Sequence, residues 1–342
     1  MTTGIDGQSE LTIAKAVRRV GRMSALAAAV AMSTLTPWQA SAADYPNKPV
    51  RMVVPFAPGG GTDLIARSIA SGLNEVWKQP VVVENRGGGG GRIGATSVAK
   101  GKGDGYSILF GSATVITVAP ALHQNLAYDP MKELIPVIEI ASTPQVLSAH
   151  PSFPVKSVKD IVQLAKAKPG EVLYSNAGIG SAGHMAMALF GSVAQIQLNN
   201  VSYTGAGPAL AALIGGHVNI IFNIVNTTLP QYQAGKINSL GVSSQKRTDL
   251  MPKVPTIAES GYLGFDTSVW YGLFVPTGTP QPIVRQINKD MLQLMQMPKM
   301  QEVLVTTGFS AVGGTPEEFR TKVRAELDTW RKVVKEHNIK GE

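Results

Sequence analysis

The stretch VLYSNAGIGSAGHMAMALFGSVA, residues 172–194, shows how this chain is built. Residues 172–177, with Val, Leu and Tyr near their start, predict a strand, and residues 181–194 predict a helix capped by Ser181. Three glycines in the turn and the first helical turn spell G-x-G-x-x-G: Gly178, Gly180 and Gly183. A strand, a glycine turn and a helix in this order form the unit of an α/β sheet, and the turn raises the question of what it binds.

The same unit recurs along the chain after the first 42 residues. Six more short apolar runs predict strands: 50–56, 81–85, 106–112, 198–203, 218–225 and 237–244. Helical patterns separate them, as in residues 62–77, where Ile65, Ile69 and Leu73 recur on one face. Strands that alternate with helices predict parallel sheets, so the expected fold class is α/β.

Two such sets of strands predict two lobes with a ligand cleft between them. Extended segments at 137–150 and 267–276 are the expected crossings between the lobes. The predicted boundaries place 43–143 and 268–342 in lobe 1 and 144–267 in lobe 2. We therefore expect two parallel-rich sheets, one in each lobe, with the two crossing strands between them.

The first 42 residues predict an export signal that is cleaved from the mature chain. Four basic residues precede an apolar run, 25–35, that is too short to span a bilayer. Ala40 and Ala42 then form an A-x-A cleavage site, so the mature chain is expected to begin at Ala43.

The composition argues against several classes of site. The chain has no cysteine and its five histidines are scattered, so neither a disulfide nor a metal site is expected. Removal of the signal takes away four basic and two acidic residues and lowers the net charge from +8 to +6. No run of five or more basic residues is present, which argues against nucleic acid as a partner. A modest positive field suits an anionic small molecule.

A second G-x-G-x-x-G, at Gly89, Gly91 and Gly94, makes a dinucleotide the first alternative to consider. That motif needs an acidic residue about 20 positions further on to hold the ribose. Residues 172–248 contain no Asp or Glu, and the residue 20 positions after Gly94 is Thr114. The sequence therefore predicts no nucleotide, and no other cofactor, at either motif.

The acid-free region and the glycine turns instead favour an anionic ligand. Amide N–H groups in the first turn of a helix lack intrahelical partners and point outward with the helix dipole behind them. We expect such donors from Gly180–Ala182 in lobe 2 and from Gly59–Thr62 in the lobe 1 segment PFAPGGGTD, residues 55–63. Two helix ends facing one cleft would clamp a ligand that has two anionic ends.

Ser181 and His184 lie three residues apart, so a secreted hydrolase is the enzymatic alternative. The pair lacks a G-x-S-x-G elbow, because residue 179 is Ile, and the spacing supplies no acid to orient the imidazole. The preferred interpretation is a binding protein rather than an enzyme, with no catalytic residue.

Several segments of the chain resemble one family of exported receptors. They are YPNKPVRMVVPFAPGGGTDLIAR, VVVENRGGGGGRIGATSVAK, DGYSILFGS, VLYSNAGIGSAGHMA, VSYTGAGPALAALIGGHV, and VPTIAESGY followed by VWYGLFVPTGTP. Over nearly its whole mature length the chain resembles the Bug-type solute receptors of tripartite tricarboxylate transporters. The resemblance implies a monomeric, two-lobed periplasmic binding protein of type II-like architecture. It also implies a small carboxylate ligand and the membrane permease subunits of the transporter as partners.

The resemblance further implies which residues contact the ligand. In lobe 1 they are Phe56, Pro58, Gly59, Gly60, Thr62, Asp63, Ser112 and Thr114. In lobe 2 they are Ser175, Asn176, Gly180, Ser181, His184, Tyr203, Thr204, Gly205 and Asn223. Ala182 joins this set through its backbone amide.

Three positions depart from the family pattern. Gly87 replaces a proline, Thr204 replaces a lysine, and Asn223 replaces an acid at the end of a buried strand. The last two change the charge of the cleft, so the ligand is left open between aliphatic di- or tricarboxylates and aromatic carboxylates. A receptor that signals to a sensor protein is a further alternative, because transport and signalling use the same closing lobes.

Overall fold

The computed structural model describes residues 45–56, 58–59 and 61–340. The export signal predicted for residues 1–42 and the predicted contact Gly60 lie outside the described residues. Within the described part of the chain, every helix is too short or too polar to cross a membrane.

Strands and helices alternate as the apolar pattern predicts. The strands are β1 Val50–Val54, β2 Val81–Asn85, β3 Ser107–Ser112, β4 Leu134–Ala149, β5 Leu173–Asn176, β6 Asn199–Ser202, β7 Ile220–Ile224, β8 Asn238–Val242, β9 Ser268–Pro276 and β10 Ser310–Gly313. The α-helices are α1 Gly61–Trp77, α2 Arg92–Ala99, α3 Ala119–Leu122, α4 Pro130–Glu133, α5 Val158–Ala167, α6 Ala182–Ala194, α7 Ala206–Ile214, α8 Val225–Gln233, α9 Gln281–Met295, α10 Pro298–Thr306 and α11 Pro316–Glu336. A 3₁₀ turn at Gly89–Gly91 precedes α2, and a π-helical turn at Thr114–Val118 precedes α3.

One continuous sheet joins the two halves of the fold. Its strands follow the order β2-β1-β3-β9-β4-β7-β5-β6, and β8 and β10 also pair with β4. The pairs at both ends are parallel, whereas β4 and β9 run antiparallel to their neighbours. The predicted α/β class is confirmed, and the structure adds how its halves connect. Strand β4 pairs with β9 through Leu134–Pro144 and with β7 through Gln145–Ala149, so it belongs to both.

The helix α1 buries the face that its apolar spacing predicts. Ile65, Ile69 and Leu73 are fully buried and pack in one cluster with residues of β1 and β3, among them Met52 and Phe110. This cluster is the largest part of the core of the first half, and it fixes the start of α1 at the carboxyl end of β1.

The last helix, α11, connects the two halves. Phe319 and Val323 near its start pack in a cluster with Trp270 of β9. Trp330 and Val333 near its end belong instead to the core cluster of the second half. The apolar face of α11 is therefore core packing, and it serves both halves.

The side-chain carboxyl group of Glu326, in α11, accepts two hydrogen bonds where the two halves meet. Trp270 Nε1 donates to Glu326 Oε2 at 2.6 Å, and Trp330 Nε1 donates to Glu326 Oε1 at 3.0 Å. Burial raises the pKa of Glu326 to about 7, although both indole hydrogen bonds oppose this effect. Lys322, one turn earlier, pairs with Glu139 of β4 at 2.6 Å. The helix thus holds both crossing strands through polar contacts.

Candidate functional site

The first glycine turn, residues 55–63 between β1 and α1, is organised around a buried carboxylate. Asp63 Oδ2 accepts the Gly59 amide at 3.0 Å and Arg67 Nε at 2.9 Å. Its Oδ1 accepts the side-chain amide of Asn85 at 2.9 Å. The hydrogen bond from Arg67 is the strongest of the contacts that lower the pKa of Asp63 to about 2. Asp63 is therefore ionised at neutral pH, and this turn contains an anion of its own.

This arrangement changes the expected role of the first turn. The Gly59 amide, which we expected to donate to the ligand, donates to Asp63 instead, because the carboxylate folds back under the turn. The hydroxyls of Thr62 and Tyr271 share a hydrogen bond of 2.8 Å that ties α1 to β9. Phe56 packs against the neighbouring core cluster. Thr62 and Asp63 thus shape the turn through contacts within the chain.

The second glycine turn, between β5 and α6, has no internal anion. Ser181 caps α6 as predicted, and its Oγ accepts the His184 amide at 3.4 Å. The Gly180 amide donates to Nδ1 of the His184 ring at 3.2 Å. The amides of Ala182 and Gly183 have no acceptor within the described residues, as is usual at a helix N-terminus. These two amides are donors that face no carboxylate of the same turn.

The glycine spacing in both G-x-G-x-x-G motifs serves packing. A Cβ atom on Gly183 would lie 2.5 Å from the carbonyl oxygen of Phe222. A Cβ atom on Gly94 would lie 2.6 Å from the carbonyl oxygen of Arg86 and 2.8 Å from Cα of Pro55. Only glycine allows each helix to approach its strand this closely. Close packing therefore explains the last glycine of each motif without a dinucleotide.

Ser175 and Asn176, at the end of β5, hold the second turn in place. Ser175 Oγ donates to the Ala209 carbonyl at 2.9 Å. Asn176 Oδ1 accepts the Gly178 amide at 2.8 Å, and its Nδ2 donates to Asn200. Both side chains are buried and bonded to their own chain, so the structure gives them a positioning role.

Ser112 and Asn223 are unlike the other buried polar side chains that the structure describes. In this part of the chain, Ser112 Oγ and Asn223 Nδ2 are the two buried side-chain nitrogen or oxygen atoms without a hydrogen-bond partner. Ser112 ends β3, and Asn223 lies one residue before the end of β7. Ligands of α/β sheets bind at these carboxyl ends. An unpaired buried donor costs about 1–3 kcal/mol, so both positions call for a partner from outside the chain.

A cavity of about 170 Å³, here termed the inter-lobe cavity, lies between the two halves. It brings together Thr114 from the first half and Gly180 from the second, two of the predicted contacts. A Cβ atom on Gly180 would lie 2.7 Å from Leu122 Cδ1, so this glycine allows the halves to meet. Arg92 and His123 also line the inter-lobe cavity.

Neither Arg92 nor His123 was among the predicted contacts. Arg92 follows a run of five glycines and is the first residue of α2. A cation at the start of a helix, directly after five glycines, is the signal in the sequence that could have pointed to this cavity wall. Its Nε donates to the Gly89 carbonyl at 2.6 Å, which holds the side chain at the cavity wall.

The His184 ring lies at a different cavity. It lines a volume of about 760 Å³ together with Tyr174 and His337, on the side of α6 that faces the end of the chain. Burial, and to a smaller extent His337, lowers the pKa of His184 to about 4, so the imidazole is neutral at neutral pH. This position does not support the predicted contact between His184 and a ligand in the inter-lobe cavity.

The remaining predicted contacts of lobe 2 lie between β6 and α7. The Tyr203 amide donates to the Asn176 carbonyl at 2.9 Å, Thr204 is exposed, and Gly205 precedes α7 as its N-cap. Their role toward a ligand stays a prediction.

The geometry gives no support to the hydrolase alternative. The Ser181 hydroxyl contacts the backbone of His184 rather than its ring, and Nδ1 of that ring is bound by the Gly180 amide. Across the described residues there is also no group of three or more His, Cys, Asp or Glu side chains that could hold a metal ion.

The profile of a family described as tripartite tricarboxylate transporter family receptor matches residues 65–339. The chain belongs to this receptor family. Its fold is similar to that of the periplasmic binding protein BugD, with 35% identity, a TM-score of 0.69, and coverage of 87% of this chain and 100% of BugD.

Two related structures contain ligands. A protein of R. palustris with adipate has 35% identity and a TM-score of 0.72, over 87% of this chain and 99% of that one. MatC of Rhodopseudomonas palustris with bound malate has 31% identity and a TM-score of 0.70, over 85% of this chain and 100% of MatC. The two-lobed periplasmic binding protein fold and the solute-binding class expected from the sequence are therefore confirmed.

Proposed function

We propose that this receptor captures a small carboxylate-bearing solute between its lobes and delivers it to the permease subunits of a tripartite tricarboxylate-type transporter. The proposal places the receptor in the periplasm after cleavage near Ala42, with lobes at the boundaries predicted above. Closure of the lobes about β4 and β9 buries the ligand. Family membership supports this class of function, and residues of the site support the ligand class.

The two unpaired donors carry the proposal. A carboxylate offers only acceptor oxygens, while the Ser112 hydroxyl and the Asn223 amide nitrogen both have a hydrogen to donate. The free amides of Ala182 and Gly183 at the start of α6 add donors of the same kind. Hydrogen bonds to an ionised carboxylate are stronger than neutral ones, so such a site needs no arginine.

The charge pattern of the second half supports the same ligand class. Residues 172–248 contain no Asp or Glu, so no carboxylate of this region repels an anionic guest. Adipate and malate, bound by two relatives, are both dicarboxylates. We therefore expect a ligand with at least one carboxylate, and a dicarboxylate is the first class to test.

The test compares ligand binding with intrinsic stability. A thermal-shift screen against aliphatic and aromatic carboxylates should raise the melting temperature of the mature chain, because a ligand stabilises the folded state by mass action. Ser112→Ala and Asn223→Ala should each weaken calorimetric affinity about tenfold or more. Ser112→Ala should leave the unliganded melting temperature nearly unchanged, because it removes a donor that has no partner in the free protein. Asn223→Ala should lower that temperature slightly, because it also removes the acceptor Oδ1, which takes the Ile224 amide at 3.0 Å.

Ser148→Ala is the matched control. Ser148 is also buried, but its Oγ shares a hydrogen bond of 3.3 Å with Ser239 of β8 and so has a partner within the chain. Loss of the Ser148 hydroxyl should lower the melting temperature of the free protein and leave its affinity for the carboxylate unchanged. A carboxylate panel that leaves the melting temperature of the wild-type chain unchanged would contradict the proposal.

Delivery to a permease needs a cellular test. A strain without the receptor should lose uptake of the ligand found by the screen. Normal uptake combined with loss of a transcriptional response to that ligand would favour the signalling alternative.

A further inference from the structure

A second and larger cavity adjoins the inter-lobe cavity. It has a volume of about 810 Å³ and lies between residues 121–125 and the end of α11 with the residues that follow it. Arg92, Leu122 and His123 line both cavities, so the two are neighbours with a common wall. Its volume falls within the range of about 300–1,000 Å³ that is usual for small-molecule sites.

Four cationic side chains and one histidine line this second cavity, here termed the basic cavity. They come from three separate segments of the chain: Arg92, His123, Arg331, Lys335 and Lys340. No Asp or Glu lines the basic cavity within the described residues. Converging charges of one sign around a hollow raise the local concentration of the opposite ion.

An ion pair between Arg331 and Asp328 does not neutralise the positive charge of the basic cavity. Arg331 meets Asp328 at 3.4 Å, but both side chains are more than half exposed, and such surface pairs hold their partners weakly. Burial lowers the pKa of His123, and the nearby Arg92 lowers it further. His123 is thus a neutral hydrogen-bonding group at neutral pH, next to a permanent cation.

We propose that the basic cavity is a second anion-binding site, separate from the site of Ser112 and Asn223. It binds small anions with several negative charges, carboxylates or phosphates, at the wall shared with the inter-lobe cavity. The site depends on residues outside the predicted ligand contacts, so it can be tested whether or not the proposed transport function holds.

Calorimetry with citrate and with pyrophosphate tests the site, in buffer of low ionic strength. The mature chain should carry Ser112→Ala and Asn223→Ala, so that binding at the first site is already weakened. On that background, Lys335→Gln with Lys340→Gln should weaken binding of the anion at least tenfold, and Arg92→Gln should weaken it again. The comparison of citrate with pyrophosphate decides between carboxylate and phosphate ligands.

Arg324→Gln with Lys332→Gln is the matched control, because both residues lie on exposed positions of α11 and neither lines the basic cavity. This pair removes the same charge and should leave anion binding within about twofold. An equal loss of anion affinity in the two double variants would overturn the proposal of a second site. So would the absence of binding of either anion to the protein that carries only Ser112→Ala and Asn223→Ala. Failure of Ser112→Ala and Asn223→Ala to affect carboxylate binding would instead count against the proposed function.

Discussion

The two glycine turns of this receptor begin two similar helices, yet one contains an anion and the other does not. In the first turn, Asp63 takes the Gly59 amide and the Arg67 guanidinium, so the turn holds a negative charge of its own. In the second, Ser181 caps α6 and no carboxylate is present. The comparison teaches that two similar glycine turns before helices can differ in whether the chain itself supplies an anion.

The largest effect is expected from a variant that places a carboxylate in the second turn, as Asp63 does in the first. Ser181→Asp should keep the cap of α6, because Asp is a good N-cap residue, and place a negative charge beside the Ala182 and Gly183 amides. Charge repulsion and competition for these donors should weaken binding of the carboxylate ligand about 100-fold or more. Titration calorimetry measures this effect.

Ser181→Asn is the control for shape, since Asn also caps helices but carries no charge. Its affinity should stay within about tenfold of the wild-type value. Equal affinities of the Asp and Asn variants would mean that the ligand does not use the start of α6.

The next effect concerns the packing role of the glycines. Gly183→Ala would place a Cβ atom 2.5 Å from the Phe222 carbonyl, and a backbone oxygen cannot easily move away. We expect a loss of about 2–3 kcal/mol in the free energy of unfolding, measured with urea. Gly207→Ala, in α7 with open space around its Cβ position, should be neutral or slightly stabilising. Unchanged stability of Gly183→Ala would remove the packing explanation.

The internal anion of the first turn gives a smaller, pH-dependent effect. Asp63→Asn should lower the free energy of unfolding at pH 7 by about 1–2 kcal/mol, because hydrogen bonds to a charged carboxylate are lost. The pKa of Asp63 is about 2 in the folded chain against 3.8 ordinarily, so this stabilisation is present above pH 3.8 and is lost as the pH falls toward 2. Urea unfolding from pH 7 to pH 2 should show the two proteins converge at the acid end. A constant difference at every pH would contradict this account.

The smallest effect concerns how the first turn is fixed to the sheet. Thr62→Val and Tyr271→Phe should each cost about 0.5–1.5 kcal/mol of unfolding free energy, and the double variant should cost little more than either alone. A double-mutant cycle of urea unfolding measures the coupling. Fully additive losses would show that the 2.8 Å contact contributes nothing to the fold.

Much of the fold could be predicted because its strands and helices follow simple patterns. Each predicted strand is present within a few residues of its expected bounds, and the helical spacing of Ile65, Ile69 and Leu73 identified a buried face. Among the elements that were missed, two have a clear physical reason. The strand β10 is short and mostly exposed, so it has no apolar signal, and α8 contains Pro230, which normally ends a helix.

The candidate site was less predictable, because sequence shows which polar residues are present but not which are already paired. Ser175 and Asn176 looked equivalent to Ser112 and Asn223, yet Ser175 is bonded to Ala209 of α7 and Asn176 to Gly178 of the second turn. Pairing depends on distant residues such as Ala209, so only the folded chain distinguishes them. Arg92 was missed because its place in one cavity with Gly180 depends on how the halves meet.

The helix α11 has a consequence for the order in which the chain can fold. Trp330 and Val333 complete a core whose other members, such as Phe190 and Phe222, leave the ribosome long before them. That core therefore stays unfinished until synthesis has almost ended, and long-range contacts of this kind form slowly. The second half can therefore reach its final packing only when the end of the chain is present.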